Sequence, residues 1–195
     1  TYKCHLNNVR VDHISGIGFN IEGVDHRMTD LKAHDCAAGG FDIKATGMRA
    51  SQCVASMCGS TSGDGIYIES GADRGIYTAC DAQGNYTNGW KVSSSNTQLI
   101  GCTGSANGYV TAGSAGLYID GENVFINGGA YFDDQEAPTQ DYGIHLTDAS
   151  SGCVTIYIDA GGNITEDYLD EAPESANAYV EAQIVRMASR LKAKS

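Results

Sequence analysis

The 195-residue sequence is poor in proline, in basic residues and in long apolar runs. It has two prolines, and its 12 lysines and arginines stand against 24 aspartates and glutamates, for a formal charge of −12. This acidic balance disfavours a nucleic-acid backbone or an anionic membrane surface as a partner. No stretch approaches the roughly 18 apolar residues that a membrane-spanning helix needs. We therefore expect no nucleic-acid partner and no membrane insertion.

Common hydrolase and metal-site motifs are missing as well. The chain has no Gly-x-Ser-x-Gly and no Cys-x-x-Cys, and its seven cysteines are an odd number, which rules out a complete internal disulfide set. Four of them fall at similar places in the chain, namely Cys36, Cys58, Cys80 and Cys102. We expect these to form a column of small, reduced core side chains, and the number of free thiols favours assembly in a reducing compartment.

The sequence does contain six phrases of the form glycine, apolar, variable, apolar, at spacings of 22 to 27 residues. They begin at Gly18, Gly40, Gly65, Gly89, Gly116 and Gly143. A repeat of this period is typical of a solenoid, because each unit is too small to bury its own apolar face. The alternation within a phrase is that of a strand with one buried face.

A second apolar run follows each phrase, and Gly, Asn, Ser and Asp separate the runs at the predicted corners. This arrangement predicts an all-β fold: a right-handed parallel β-helix of about six coils over residues 1–162. Residues 163–195 read as an acidic connector followed by a C-terminal helix, since Val180, Ile184, Met187 and Leu191 follow helical spacing. That helix is interpreted either as a cap over the last strands or as a short seam between subunits.

The variable position of each phrase, and the residue two places further on, point outward in this prediction. The resulting face is polar, with alternating charges and two tyrosines, a mixture that suits the apolar faces and hydroxyl edges of sugar rings. The alternative is an ordinary solvated sheet in which opposite charges on neighbouring rungs pair. The carbohydrate-binding candidates are Asp42, Lys44, Tyr67, Glu69, Lys91, Tyr118, Asp120 and His145.

An acidic loop offers a second, weaker candidate. Asp133, Asp134 and Glu136 are oxygen ligands of the kind that calcium takes, but their spacing is not that of an EF-hand loop. A plain solvated loop and a glycosidase acid and base pair are the other interpretations. The pair is disfavoured because neighbouring side chains on a strand point to opposite faces. We expect no other cofactor and no metal.

The coil pattern over residues 4–162 resembles the pectate-lyase-like family of right-handed parallel β-helices. Three stretches, at residues 15–20, 33–35 and 125–133, are also similar to the catalytic module of mannuronan epimerases. The catalytic motif of that module, Tyr-Gly-Phe-Asp-Pro-His, is not kept: its tyrosine, aspartate and histidine positions hold Ile17, Asn20 and Glu22, and a further aspartate position holds Gly39. Proton abstraction beside a uronate needs an acid and a base, which isoleucine, asparagine and glycine do not supply. The resemblance therefore implies that this activity is lost or is carried by other residues.

Phage tailspikes share this fold, assemble as trimers in a reducing cytoplasm and commonly bind bacterial surface polysaccharide. By that analogy we expect polysaccharide recognition by a homo-oligomer, a trimer being favoured. It would act on a virion or cell exterior after assembly in a reducing cytoplasm, or as a secreted protein. The alternatives are an enzyme (a polysaccharide lyase, glycoside hydrolase or epimerase relative) and a structural spacer or adhesin segment. No amphipathic cap precedes the first coil, so we also expect a fragment, a processed chain or a domain that continues upstream.

Overall fold

Two parallel β-sheets form the computed structural model, which describes residues 3–173 and 178–179. Every strand pairing within them is parallel, between strands one turn apart in the chain. The seven-stranded sheet consists of β2 (Ile17–Ile21), β4 (Gly39–Ile43), β7 (Ile66–Ile68), β10 (Trp90–Val92), β12 (Ala115–Ile119), β14 (Tyr142–Leu146) and β17 (Glu166–Asp170), and the six glycine phrases lie at the first six of these strands. The eleven-stranded sheet contains β1 (His5–Ile14), β3 (Arg27–Cys36), β5 (Arg49–Ser51), β6 (Val54–Ser56), β8 (Ile76–Thr78), β9 (Asp81–Gln83), β11 (Gln98–Ser105), β13 (Phe125–Phe132), β15 (Val154–Ile156), β16 (Asp159–Gly161) and β18 (Ala178–Tyr179).

Each turn bends where a single residue adopts a left-handed conformation. One such residue divides the eleven-stranded sheet into two segments per turn, and it recurs at the same register position on seven rungs with φ between 49° and 67°. The column comprises Asn8, Asp30, Gln52, Ala79, Gly101, Gly128 and Tyr157. A one-residue bend between two strand segments gives the column three sides.

The inward positions of the glycine phrases form the core, as the alternation predicts. Their Cα register runs unbroken from Phe19 through Trp90 to Ile144, and the side chains at these positions are buried. Phe19 and Phe41 stack with their ring centroids 4.8 Å apart. Ile21, on the first rung of this sheet, is only half-buried although it packs against the core.

Five of the six buried cysteines form two columns instead of the single one predicted, and the sixth, Cys153, aligns with Val124. The register aligns Cys36 with Cys58, and it separately aligns Cys53 with Cys80 and Cys102. All seven cysteines are free, and Cys4 alone is exposed. The sequence-based column combined residues from different corners, because spacing from the glycine phrase does not show on which side of the bend a cysteine lies.

An amide ladder, which the sequence analysis did not predict, continues the Cys36–Cys58 column. Cys58 N donates to Asn85 Oδ1, Asn85 Nδ2 donates to Asn107 Oδ1, and Asn107 Nδ2 donates to Gln140 Oε1, each at 3.0 Å. Gln140 Nε2 then donates to Asn163 Oδ1 at 2.7 Å. The amides of Asn85, Asn107 and Gln140 are fully buried, so their mutual hydrogen bonds offset the cost of removing them from water.

The column has about seven turns, one more than the six predicted. The additional strand is β17, which pairs with β14 in register. It was missed because Asp167 stands where the other phrases have glycine, and Asp170 occupies the second inward position. Ala178–Tyr179 pair with β15 as a strand, so these two residues are not part of the predicted C-terminal helix. The rest of that helix, with Val180, Ile184, Met187 and Leu191, lies outside the described residues.

Candidate functional site

The eight predicted carbohydrate-binding residues come together on the outward face of the seven-stranded sheet. Register pairs place Asp42, Tyr67, Lys91, Tyr118 and His145 in one column. A second column contains Lys44, Glu69 and Asp120, whose backbone N–H groups each donate to the rung before. Neighbouring rungs of a parallel sheet lie about 4.8 Å apart, so side chains from successive rungs can contact one ligand.

Four side chains at the first rungs form an acidic patch: Glu22, Asp42, Lys44 and Glu69. Lys44 Nζ lies 3.0 Å from Asp42 Oδ2, 3.6 Å from Glu69 Oε1 and 3.9 Å from Glu22 Oε1. The hydrogen bond to Asp42 raises the pKa of Lys44. Burial, and then the nearby Asp42 carboxylate, raises the pKa of Glu69. Three carboxylates around one ammonium leave this patch short of positive charge.

Asp42 was predicted to be exposed on the outward face, but its side chain is covered. Asn20, on the rung before it in the same column, is exposed. Asp42 is 9% exposed, and Lys44 extends over it from the same strand end. The register itself is as predicted, since Phe41 and Ile43 on either side fill the core. Alternation in the sequence predicts the face to which a side chain points. It does not predict which neighbouring side chains cover it.

Further along the sheet, two tyrosines and a lysine form an aromatic patch: Tyr67, Lys91 and Tyr118. Lys91 Nζ lies 5.2 Å from the ring centroid of Tyr67 and 5.7 Å from that of Tyr118. Within the described part of the chain, no carboxylate forms an ion pair with Lys91. Burial, with the nearby Asp120 carboxylate second, raises the pKa of Tyr118. The lysine charge is therefore held against ring faces, where no acid neutralises it.

His145 extends this patch by one rung and contacts two residues that the sequence analysis did not select. Its ring centroid is 5.1 Å from that of Tyr118 and 4.9 Å from that of Tyr142. Its Nε2 atom lies 3.0 Å from Glu171 Oε2. Glu171 continues the second column, since its N–H donates to Leu146 O. Extending the repeat one period beyond Gly143 would have indicated Glu171, but Tyr142 precedes the phrase and has no counterpart in the pattern.

Three buried polar atoms on this face have no hydrogen-bond partner: Asp42 Oδ1, Asp120 Oδ1 and His145 Nδ1. A buried polar group without a partner costs free energy that a bound hydroxyl can recover. These atoms lie in both columns and on three different rungs. Each of these atoms is covered by neighbouring side chains, so a bound hydroxyl reaches it only where those side chains move aside.

The acidic loop does not form a calcium site in the structure. Asp133 is buried, and its carboxylate accepts backbone N–H bonds from Gln135 at 3.2 Å, Thr139 at 2.7 Å and Gln140 at 2.9 Å. Asp134 and Glu136 are exposed, and no group of three or more potential metal-binding side chains occurs in the described ranges. Asp133 instead shapes the loop that carries Gln140 into the amide ladder.

The family of the protein follows from this architecture. A family model described as a right-handed β-helix region matches residues 1–160, so the chain belongs to the right-handed β-helix family. The A-module of the mannuronan C-5 epimerase from Azotobacter vinelandii has a similar fold, with a TM-score of 0.55 and 14% sequence identity. That match covers 89% of this chain, which spans 64% of the length of the module.

Comparison with curated proteins gave no match. The described residues contain no helix of the length and hydropathy that crossing a bilayer requires. The family model confirms the predicted right-handed parallel β-helix fold. An enzyme named for a polysaccharide has a similar fold.

Proposed function

We propose that the outward face of the seven-stranded sheet binds polysaccharide, with the chain lying along the column of rungs. The observation that carries this proposal is the aromatic patch, in which Lys91 lies between the rings of Tyr67 and Tyr118. The rings offer apolar surface to sugar C–H groups, and the ammonium offers a donor to a hydroxyl or carboxylate.

The rest of the face supports an extended ligand. Asp120 and His145 have unpartnered polar atoms just beneath the surface on the rungs at and beyond Tyr118, and Asp42 has one two rungs before Lys91. The epimerase module with the similar fold is named for mannuronan, an acidic polysaccharide, and this supports a glycan as the ligand class. An acidic sugar would place its carboxylate at Lys91, because Lys44 is already surrounded by three carboxylates.

Glycan-array screening followed by calorimetry of the Tyr67→Ala/Tyr118→Ala double variant tests the proposal. The array carries alginate, bacterial capsules and lipopolysaccharide glycans. The double variant should bind the best ligand about tenfold or more weakly than the parent, because aromatic contacts are frequent binding hot spots. Tyr157→Ala is the matched control, since Tyr157 is an exposed tyrosine at the bend between β15 and β16. Equal binding by the parent and the double variant would reject this face.

A second candidate function is uronate chemistry at the end of the same face. His145 is oriented by Glu171, has an unpartnered Nδ1 and lies against Tyr118, so an imidazole base and a phenol acid stand on adjacent rungs. A lyase of this kind would remove the proton beside the sugar carboxylate at His145 and protonate the leaving oxygen from Tyr118. The test is ultraviolet absorption of an unsaturated product from alginate or pectate, which His145→Ala should abolish. A parent protein that forms no such product is not a lyase for these polymers.

For the assembled protein, we propose a tailspike-like homotrimer on a virion or cell exterior. It is supported by the free cysteines, which suit assembly in a reducing cytoplasm, and by the elongated stack of rungs. Light scattering on the purified protein should then give three times the molar mass of one chain. A monomer at micromolar concentration would remove the trimer from the proposal and leave the glycan-binding face to be judged by its own test.

A further inference from the structure

A groove of about 520 Å³ lies at a corner of the column, on strands of the eleven-stranded sheet. One side is a register column of four rungs, consisting of Ser56, Gln83, Ser105 and Phe132. None of these residues belongs to the face proposed above to bind polysaccharide. The volume falls within the roughly 300–1,000 Å³ of small-molecule sites in proteins.

Two small residues line the groove at the next register position. Gly84 and Ala106 follow the strand ends with φ of 64° and 54°. A Cβ atom on Gly84 would lie 3.4 Å from Met57 Sδ and 3.8 Å from Tyr109 Cε2. The glycine therefore forms the floor between these two larger side chains. Met57 and Tyr109 are 40% and 42% exposed, which is a large apolar exposure for side chains that flank one groove.

Apart from the Asp134 carboxylate, the polar side chains that line the groove are neutral amides and hydroxyls. Tyr109 Oη donates to Gln135 Oε1 at 3.3 Å, and Gln135 Nε2 is a buried donor with no partner. Ser56 Oγ lies 2.9 Å from His34 Nδ1, which fixes the hydroxyl at one end of the groove. Of the described residues that line the groove, Asp134 carries the one carboxylate and none carries a positive charge.

We propose that this groove is a separate binding site for a neutral oligosaccharide of two or three sugar units. Tyr109 and Phe132 supply aromatic surface for the C–H faces of the sugars, and Gln83 and Gln135 supply amides for the hydroxyl edges. The lack of a lining cation and the net charge of −12 disfavour an anionic sugar. Four rungs about 4.8 Å apart give a length that exceeds one sugar ring. The proposal does not depend on polysaccharide binding by the seven-stranded sheet.

Saturation-transfer NMR and calorimetry with defined trisaccharides test the groove. The probes are maltotriose, cellotriose and mannotriose, with a mannuronate trisaccharide as the anionic comparison. At least one neutral trisaccharide should bind, and Tyr109→Ala should weaken that binding about tenfold or more. Gln83→Ala, which changes an exposed side chain on another rung, should weaken it as well and guards against misfolding of the first variant.

Two controls separate this site from the other face. Val110→Ala changes an exposed neighbour of Tyr109 that does not line the groove, and it should bind as the parent does. Tyr67→Ala/Tyr118→Ala should also leave the affinity for the neutral trisaccharide unchanged. The proposal is overturned if no neutral trisaccharide binds at millimolar concentration, if the mannuronate trisaccharide binds this groove more tightly, or if Tyr109→Ala and Gln83→Ala bind as the parent does. Loss of binding in the Tyr67→Ala/Tyr118→Ala variant alone would assign the ligand to the seven-stranded sheet.

Discussion

At the scale of single residues, some corner positions hold residues whose backbone conformation is strained. Ala79 has φ of 49°, a left-handed conformation in which a Cβ atom costs about 1 kcal/mol or more and glycine costs nothing. On the next two rungs the same register position holds Gly101 and Gly128. The chain therefore needs the bend at every turn, even where its residue does not favour the conformation.

Ala79→Gly should leave the free energy of unfolding unchanged or raise it by up to about 1 kcal/mol. Relief of backbone strain in the folded state stabilises the protein, and the greater freedom of glycine in the unfolded chain offsets part of that gain. The measurement is the free energy of unfolding by denaturant titration. Ala55→Gly is the matched control: Ala55 is buried in strand β6 without a positive φ, so that variant should be destabilised. Equal destabilisation of both variants would show that the corner column carries no strain.

Much of the residue-level structure was predictable. Alternation in each phrase placed Trp90 and Leu117 inside and Lys91 and Tyr118 outside, and the register agrees. Alternation could not predict that Lys44 covers Asp42, or that His145 meets Glu171 from the next turn. Such contacts depend on side-chain conformations between rungs, and no short stretch of sequence contains both partners.

At the scale of elements, the amide ladder joins turns that the strand pairing already stacks. Asn107 is central to it: Asn85 N and Asn85 Nδ2 donate to its Oδ1, and its Nδ2 donates to Ala82 O and Gln140 Oε1. In the sequence, Asn85 and Asn107 look like the other asparagines at the predicted corners. A single asparagine gives no indication that its amide points into the core.

Asn107→Ala should cost roughly 2–4 kcal/mol of unfolding free energy, because Asn85 N loses its acceptor while Ala82 O and Gln140 Oε1 each lose a donor. Asn20→Ala is the control; Asn20 is exposed on β2, and its loss should change stability by less than about 0.5 kcal/mol. Chemical denaturation of both variants measures the difference. An Asn107→Ala variant as stable as the control would mean that the ladder contributes nothing net.

The acidic patch makes the stability of the folded protein depend on pH. Burial and the Asp42 carboxylate raise the pKa of Glu69 in the folded protein, so the unfolded chain ionises this group more easily. Its contribution is absent at low pH, where both states are protonated, and becomes destabilising as pH rises through the folded pKa. Glu69→Gln should therefore gain stability relative to the parent at about pH 7 and show little difference at about pH 4.

The readout for Glu69→Gln is the difference in melting temperature between variant and parent at the two pH values. Glu136→Gln serves as the reference, because Glu136 is exposed in the acidic loop. A Glu69→Gln variant whose gain in stability is larger at acidic pH would contradict this prediction. That result would mean that attraction to Lys44 outweighs repulsion by Asp42 at Glu69.

At the scale of the whole molecule, the repeat predicted a column but undercounted its turns. The seventh strand of the glycine-phrase sheet lacks the phrase itself, because Asp167 stands at the glycine position and, of the two inward positions, Tyr168 is apolar and Asp170 is not. The corner groove was also invisible in the sequence. Its lining residues come from separate turns, and their closeness follows from register alone.

The thiols test whether the column is closed along its length. Six cysteines are buried and Cys4 is exposed, and burial raises the pKa of Cys58 to about 12. Thiolates are the reactive species, so a native titration with a thiol reagent should show one fast thiol and six slow ones, and denaturant should make all seven react. Cys4→Ser should remove the fast thiol. Several fast thiols in that variant would show that the core opens readily.

The central claim is that a glycan lies along the outward face of the seven-stranded sheet. The most direct test is a crystal structure of the protein with the best-binding oligosaccharide from the array. We predict sugar density over Tyr67, Lys91 and Tyr118, with a hydroxyl or carboxylate oxygen within hydrogen-bond distance of Lys91 Nζ and a hydroxyl within that distance of Asp120 or His145. Density confined to any other surface, with this face empty at a saturating concentration of ligand, would contradict the account.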